Sequence, residues 1–227
     1  VLQAVFWDMD GTIVDTEPFW FIAQHKLAAE FGVSWTEEQA KLLIGSALSN
    51  SAKVMQDAGI DMGIDDIIST LTASVQNQVT ADVIWRPGAK ELLAELREQC
   101  IPCVLVTMSH HPLAAEVLSH LPEGTFEFMI TGDMVTQGKP HPEPYLMAAE
   151  LLGKTVENLS INRCVAIEDS RPGLASAHAS GAVALGVPNL VTLMESPGLT
   201  LWPTLGGMTV ADLQGLVEER ALVSGRN

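Results

Sequence analysis

Five short runs, AVFW (Ala4–Trp7), CVLVT (Cys103–Thr107), FEFMIT (Phe126–Thr131), CVAIE (Cys164–Glu168) and AVALGV (Ala182–Val187), recur between stretches of helical periodicity. This alternation restricts the architecture more than any other feature of the chain. Apolar residues at helical spacing run through Ala89, Leu92, Leu93 and Leu96, through Ala114, Val117, Leu118 and Leu121, and through Tyr145, Ala148, Ala149 and Leu152. Strands that alternate with helices form a parallel sheet covered on both faces, and a strand that meets no water on either face is apolar throughout. The expected core is therefore α/β, a parallel sheet in a three-layer α/β/α arrangement.

Between Glu17 and Ile84 the pattern changes, and helix follows helix with no strand between. Pro18 suits a first helical turn, and Phe19, Ile22, Ala23 and Leu27 would give that helix one apolar face. Further helical stretches are predicted at Thr36–Ile44, Ala47–Ala58 and Ile64–Val79. The chain is thus read as a core domain, 1–16 and 85–227, with a small all-helical domain, 17–84, inserted after the first strand. The stretch beyond Val187 is the least legible.

A net charge of -16 leaves no basic face for nucleic acid or an anionic membrane. The apolar runs are too short to cross a bilayer, which takes roughly 20 residues. No signal-peptide pattern is visible, and the chain opens at Val1 almost inside a strand, so a few preceding residues are expected to be missing. Three cysteines, an odd number, suit a reducing, cytoplasmic setting. Cys100 and Cys103 form a CIPC, but Cys100 follows a helix and Cys103 starts a strand, whereas a reactive thiol of that type sits at a helix N-terminus. They are read as core thiols.

In an open parallel sheet, ligands gather at the carboxyl ends of the strands. The first strand ends in Asp8 and Asp10, the second in Thr107 and Ser109, and the fourth in Glu168 and Asp169. The third is followed by QGKPHPEPY, with Lys139 before a helix starting near Pro142. Taken singly, Thr107, Ser109 or Asp169 could cap a helix, and Lys139 could be a solvated lysine. The Asp8–Asp10 pair is harder to explain that way, because two like charges at about 4 Å repel by roughly 4 kcal/mol at an effective dielectric near 20. Four carboxylates less one lysine give the rim a formal charge of -3. A hard divalent cation on oxygen ligands from Asp8, Asp169 and Glu168 would offset it, and Mg²⁺ prefers such ligands. The groups together make a phosphoryl-transfer set: a carboxylate nucleophile, a second carboxyl for proton transfer, and Thr107 and Lys139 to hold the equatorial oxygens.

DMDGT, the VLVTMS strand end, GKPHPEPY and VAIEDS, in that order, resemble the four motifs of the haloacid dehalogenase superfamily. The helical insertion resembles the small cap of its β-phosphoglucomutase-like phosphatase branch. The resemblance spans nearly the whole chain and implies a Rossmann-like core, Mg²⁺ as cofactor and a two-step hydrolysis of a small phosphorylated metabolite. It casts Asp8 as nucleophile and Asp10 as proton carrier, with the Asp10 main-chain carbonyl also on the metal. Thr107 and Lys139 would clamp the phosphoryl group, Ser109 would assist them, and Asp169 with Glu168 would anchor the metal. Mutases of this branch carry a histidine four residues after the threonine of the D-T dipeptide, where this chain has Trp20. A phosphatase is thus favoured over a β-phosphoglucomutase-type mutase.

The insertion holds Lys26, Lys41 and Lys53, no arginine and nine acidic residues, a poor surface for a second anionic group on the substrate. The expected substrate is a sugar or polyol monophosphate. Trp20, Trp35 and Gly45–Ser49 are candidate lining residues, and His110, of the pair His110-His111, is a further candidate for substrate contact. A receiver-like phospho-aspartate switch would use the same groups but needs no insertion of this size. The expected state is a monomer or weak dimer.

Overall fold

The computed structural model describes residues 1–224. Its centre is a six-stranded sheet of β1 (Ala4–Trp7), β2 (Cys103–Val106), β3 (Phe128–Ile130), β4 (Cys164–Glu168), β5 (Val183–Gly186) and β6 (Leu199–Leu201). The strands lie in the order β3-β2-β1-β4-β5-β6, and every neighbouring pair is parallel. This is the Rossmann-like α/β architecture expected from the alternation. The third strand is shorter than FEFMIT suggested, and β6 was not foreseen: its residues are only half-buried, so the run LTL carries no strong core signal.

Side chains with period two feed two separate cores. Val5, Trp7, Leu105, Val165, Ile167 and Leu185 point to one face. There they meet α5 (Ala89–Glu98), α6 (His111–Ser119) and α9 (Val210–Ser224). Ala4, Phe6, Val104, Val106, Ala166 and Ala184 point to the other, against α7 (Glu143–Leu152) and α8 (Arg171–Ser180). Cys103 and Cys164 are buried here as expected, but Cys100 is exposed. It lies beyond the end of α5 with a positive φ, outside both cores.

Between β1 and α5 the chain makes α1 (Glu17–Glu30), α2 (Glu37–Lys41), α3 (Leu48–Asp57) and α4 (Ile64–Ala81). The outgoing and returning segments run side by side: Val14 bridges Trp85, Asp15 N–H donates to the Ile84 carbonyl (2.7 Å), and Arg86 N–H donates to that of Ile13 (2.9 Å). Helix α4 packs on α6, and Gly45 lies so close to Ser170 that a Cβ there would sit 2.1 Å from its Oγ. The helices therefore rest on the carboxyl end of the sheet.

One expectation fails in α1. Ile22 is 55% exposed, and the buried face is Glu17, Trp20, Ala23, Gln24, Leu27 and Ala28. Counting apolar residues selects Ile22, whereas the helix turns three polar-tipped side chains inward.

Candidate active site

The strand order reverses direction at β1, whose neighbours are β2 on one side and β4 on the other. Helical crossovers leave in opposite directions from such a point and open a crevice at the carboxyl ends. The chain places Asp8 and Asp10 just past β1, Thr107 and Ser109 just past β2, and Glu168 and Asp169 at the end of β4.

After Asp10 the chain turns at once, with the Thr12, Ile13 and Val14 N–H groups all directed at the Met9 carbonyl. Gly11 makes this possible. Its φ is +82°, a left-handed conformation, and a Cβ would lie 2.0 Å from Asp169 Oδ2. The turn thus brings β1's acidic end into contact with that of β4.

Lys139, buried and just before α7, reaches under both carboxylates. Its Nζ lies 2.8 Å from Asp8 Oδ1, 2.6 Å from Glu168 Oε1 and 2.8 Å from the Val106 carbonyl. Thr12 Oγ1 donates to Asp8 Oδ2 (2.8 Å). Burial would lower the lysine's pKa, but the attraction of Asp8 and Glu168 outweighs it and holds the ammonium firmly charged. Tyr145 on α7, read from sequence only as an apolar position, donates its hydroxyl to Glu168 Oε1 (2.5 Å). Its ring also lies 5.4 Å from Lys139 Nζ. Pairing with Lys139 and Tyr145 was the signal available only in three dimensions.

Asp10 is held differently. Its Oδ1 accepts from Thr16 Oγ1 (2.5 Å) and Trp20 Nε1 (3.1 Å), its Oδ2 from Ser109 Oγ (2.7 Å) and Thr107 Oγ1 (3.2 Å). Thr107 and Ser109, expected to hold phosphate oxygens, are therefore spent on Asp10 in this structure, and so is the indole of Trp20. Thr16, which sequence reasoning missed, belongs to the same set.

Asp169 has an unpartnered oxygen. The cap of α8 is Ser170, whose side chain accepts from Gly173 N–H, so Asp169 is not consumed as a helix cap. Its Oδ2 is buried with no hydrogen-bond partner. Burial, then repulsion from Asp8, Glu17 and Glu168, pushes its carboxyl well above the usual range. Burial likewise raises Glu168, to about 7, with Asp8 adding to it and Lys139 opposing. Asp8 is raised as well, again by burial, with Lys139 opposing. Carboxylate oxygens of Asp8, Glu168 and Asp169 lie within 4.8 Å of one another, so a single cation could touch all three.

The pocket above these groups is lined by Asp8, Asp10, Ser109 and Met108 from the sheet side, and by residues of α1 and the Gly45–Leu48 segment. Trp20 and Gly45 are in it, as expected. Ser46 and Leu48 are in it too, but Ala47, Ser49, Trp35 and His110 are not. Trp35 is buried among the helices with its Nε1–H on Gln24 Oε1 (3.1 Å), and His110 lines a separate groove with Asp65, Thr72 and Asp133, because its position caps α6 and faces α4.

A parallel sheet with a switch-point crevice holding paired carboxylates, a buried lysine and two hydroxyls defines a class of hydrolases built on this core. The family profile described as haloacid dehalogenase-like hydrolase matches residues 5–187, and the chain belongs to that family. Among curated proteins it is 30% identical to a phosphorylated carbohydrates phosphatase of Thermotoga maritima over 79% of this chain and 82% of that one. It is also 30% identical to hexitol phosphatase A of Escherichia coli, over 82% of each. Among solved structures it superimposes on CbbY from Rhodobacter sphaeroides, crystallised with xylulose-(1,5)bisphosphate, with a TM-score of 0.80, 25% identity and coverage of 94% and 99%. A β-phosphoglucomutase from Clostridium difficile shares the fold, with a TM-score of 0.82, 22% identity and coverage of 98% and 100%. No helix among the described residues is long and apolar enough to cross a membrane.

Proposed function

We propose that this chain is a Mg²⁺-dependent phosphatase that hydrolyses a sugar or polyol monophosphate through an aspartyl-phosphate on Asp8. The observation that carries the reading is the unpartnered Asp169 Oδ2, buried beside Asp8 and Glu168 in an oxygen-only cluster. An orphaned buried carboxylate oxygen is costly, and a hard cation is the partner that such a donor set suits. Asp8 and Asp169 would hold the ion directly, with the Asp10 main-chain carbonyl that the family resemblance supplies. Glu168, already occupied by Lys139 and Tyr145, would orient the lysine. Bound there, Mg²⁺ supplies positive charge against the phosphoryl oxygens and the ionised nucleophile.

The residues divide the remaining work. Asp8 attacks phosphorus and the P–O bond to the leaving group breaks, while Asp10 gives its proton to the departing alkoxide. Asp10 then takes a proton from the water that attacks the aspartyl-phosphate, releasing inorganic phosphate and restoring Asp8. Lys139, with Thr107 and Ser109 turned from Asp10, would hold the equatorial oxygens. Residues 17–84 would act as a cap over the core, 1–16 and 85–227, keeping competing water out.

The named activities of the two phosphatase relatives support a phosphorylated carbohydrate as substrate. CbbY was crystallised with a bisphosphate, but no lysine, arginine or histidine is among the residues lining this pocket, which favours a single phosphate. The mutase reading loses support because Trp20 carries no basic nitrogen and its N–H is committed to Asp10.

Phosphate release from a panel of phosphomonoesters, with and without Mg²⁺, tests the proposal. Release from no ester at any Mg²⁺ concentration would refute it. A stability measurement tests the metal site separately. Asp169's raised pKa means the folded state binds its proton more tightly than the unfolded state. The carboxylate therefore costs stability increasingly as pH rises above about 4, its unfolded value. Asp169→Asn is expected to raise the metal-free Tm at pH 7.5. In the native protein, Mg²⁺ at about 100 times its Kd should raise Tm by roughly 5–10 °C, and the variant should lose that response. A variant that keeps the full Mg²⁺ response places the ion elsewhere.

A further inference from the structure

Helix α1 turns an unusual stripe into the pocket. Glu17, Trp20 and Gln24, at i, i+3 and i+7, share one face, are all buried, and all line the same cavity as Asp8 and Asp10, while Ile22 points to solvent. An amphipathic helix on a core would be expected to do the reverse. Of the three, only Trp20 spends its polar group on the catalytic carboxyls.

Glu17 is 4% exposed, and its carboxylate is not among the fully enclosed unpartnered groups of the described residues: it opens onto the cavity it lines. Burial, then repulsion from Asp10, Asp15 and Asp8, pushes its pKa up to about 8. A first-turn glutamate normally reaches water, so its burial here needs a reason. Gln24 supplies a complementary group. The Trp35 indole N–H can only donate, and it donates to Gln24 Oε1, which fixes the amide orientation and leaves the Nε2 hydrogens free for the pocket. The stripe thus offers an acceptor near Asp10 and a donor two turns farther along the helix.

We propose that Glu17 and Gln24 form the subsite that recognises the hydroxyl groups of the leaving alcohol, Glu17 accepting from a hydroxyl near the phosphate and Gln24 Nε2–H donating to one farther along the chain. The assignment rests on the phosphatase reading above and names its specificity residues. Seven residues of helix rise by about 10 Å, so the pair spans a polyol chain of several carbons rather than a two- or three-carbon alcohol. An ester whose leaving group lacks hydroxyls gains nothing from either residue.

The test compares kcat/KM at saturating Mg²⁺ for a hexitol phosphate, glycerol 1-phosphate and p-nitrophenyl phosphate in the native protein, Glu17→Ala, Glu17→Gln and Gln24→Leu, with folding checked by circular dichroism. In Glu17→Ala, the ratio of hexitol phosphate to p-nitrophenyl phosphate should fall roughly 3- to 100-fold, the range from a neutral to a charge-assisted hydrogen bond. Glu17→Gln, which keeps an acceptor oxygen, should recover part of the ratio. Gln24→Leu should lower the hexitol-to-glycerol ratio. Equal losses on all three esters would overturn the assignment and make Glu17 a group that acts through Asp10. Unchanged ratios in every variant would likewise remove the subsite while leaving the phosphatase reading intact. Failure of the native protein on every ester would instead refute the phosphatase reading itself.

Discussion

Asp8→Asn is expected to lower phosphate release at saturating ester by about 10⁴-fold or more, the scale seen when a covalent nucleophile is removed. An amide oxygen of the same shape cannot form the aspartyl-phosphate, yet it still accepts from Thr12 Oγ1, and Lys139 keeps Glu168 and the Val106 carbonyl as partners. The variant also removes one carboxylate from a crowded rim, so its thermal stability should not fall. Loss of turnover in a fully folded protein therefore points to chemistry rather than to damage. Acid-quenched native protein should retain a phosphoryl label at Asp8 during turnover, and the variant should retain none. Turnover above about 1% of native would place the nucleophile elsewhere.

Lys139→Met is expected to have the largest effect on stability. The ammonium is buried against Asp8 and Glu168, and the similar-sized thioether would leave both carboxylates unpaired in a water-poor site. Breaking a buried pair by removing one partner costs roughly 3–5 kcal/mol, which for a chain of this size is about 6–20 °C in Tm. Differential scanning calorimetry without metal reads this directly. Mg²⁺ should restore part of the loss by taking over some of the lost positive charge. Turnover should still remain low because the phosphoryl clamp is gone. A metal-free Tm within about 2 °C of native would mean that the lysine does not neutralise the acidic rim.

The parts of this site legible in the sequence share one property: they lie at the ends of strands whose apolar runs announce them. Asp8, Asp10, Thr107, Glu168 and Asp169 each lie at the carboxyl end of a buried strand or within three residues past it, so period and position suffice to place them together. Lys139 was legible because of its order in the chain and its flanking motif. The partners that give these groups their state were not legible. Tyr145 reads as one apolar position in α7, and only the fold brings its hydroxyl to Glu168. Trp20 was expected at the pocket and lines it, but that its N–H donates to Asp10 across ten residues of chain was not legible. Glu17 and Gln24 look like ordinary surface residues of a helix, because the pocket that they face is made by segments distant in sequence. At the far edge of the sheet, β6 is short and half-exposed, so burial there is too weak to imprint a pattern.

Strand β1 is one of the two central strands of the sheet, and this has a bearing on synthesis. Val5 pairs with Cys103 on one side and with Val165 on the other. During synthesis this entirely apolar segment is made before either neighbour, with one hydrogen-bonding edge bare until Cys103–Val106 follows and the other until Cys164–Glu168 does. Pairings so distant along the chain close slowly, and an open strand edge is adhesive to other chains in the meantime. The site residues on either side of β1 thus come together only after β4 has been made, and a shorter chain carries a bare apolar strand edge without the assembled site.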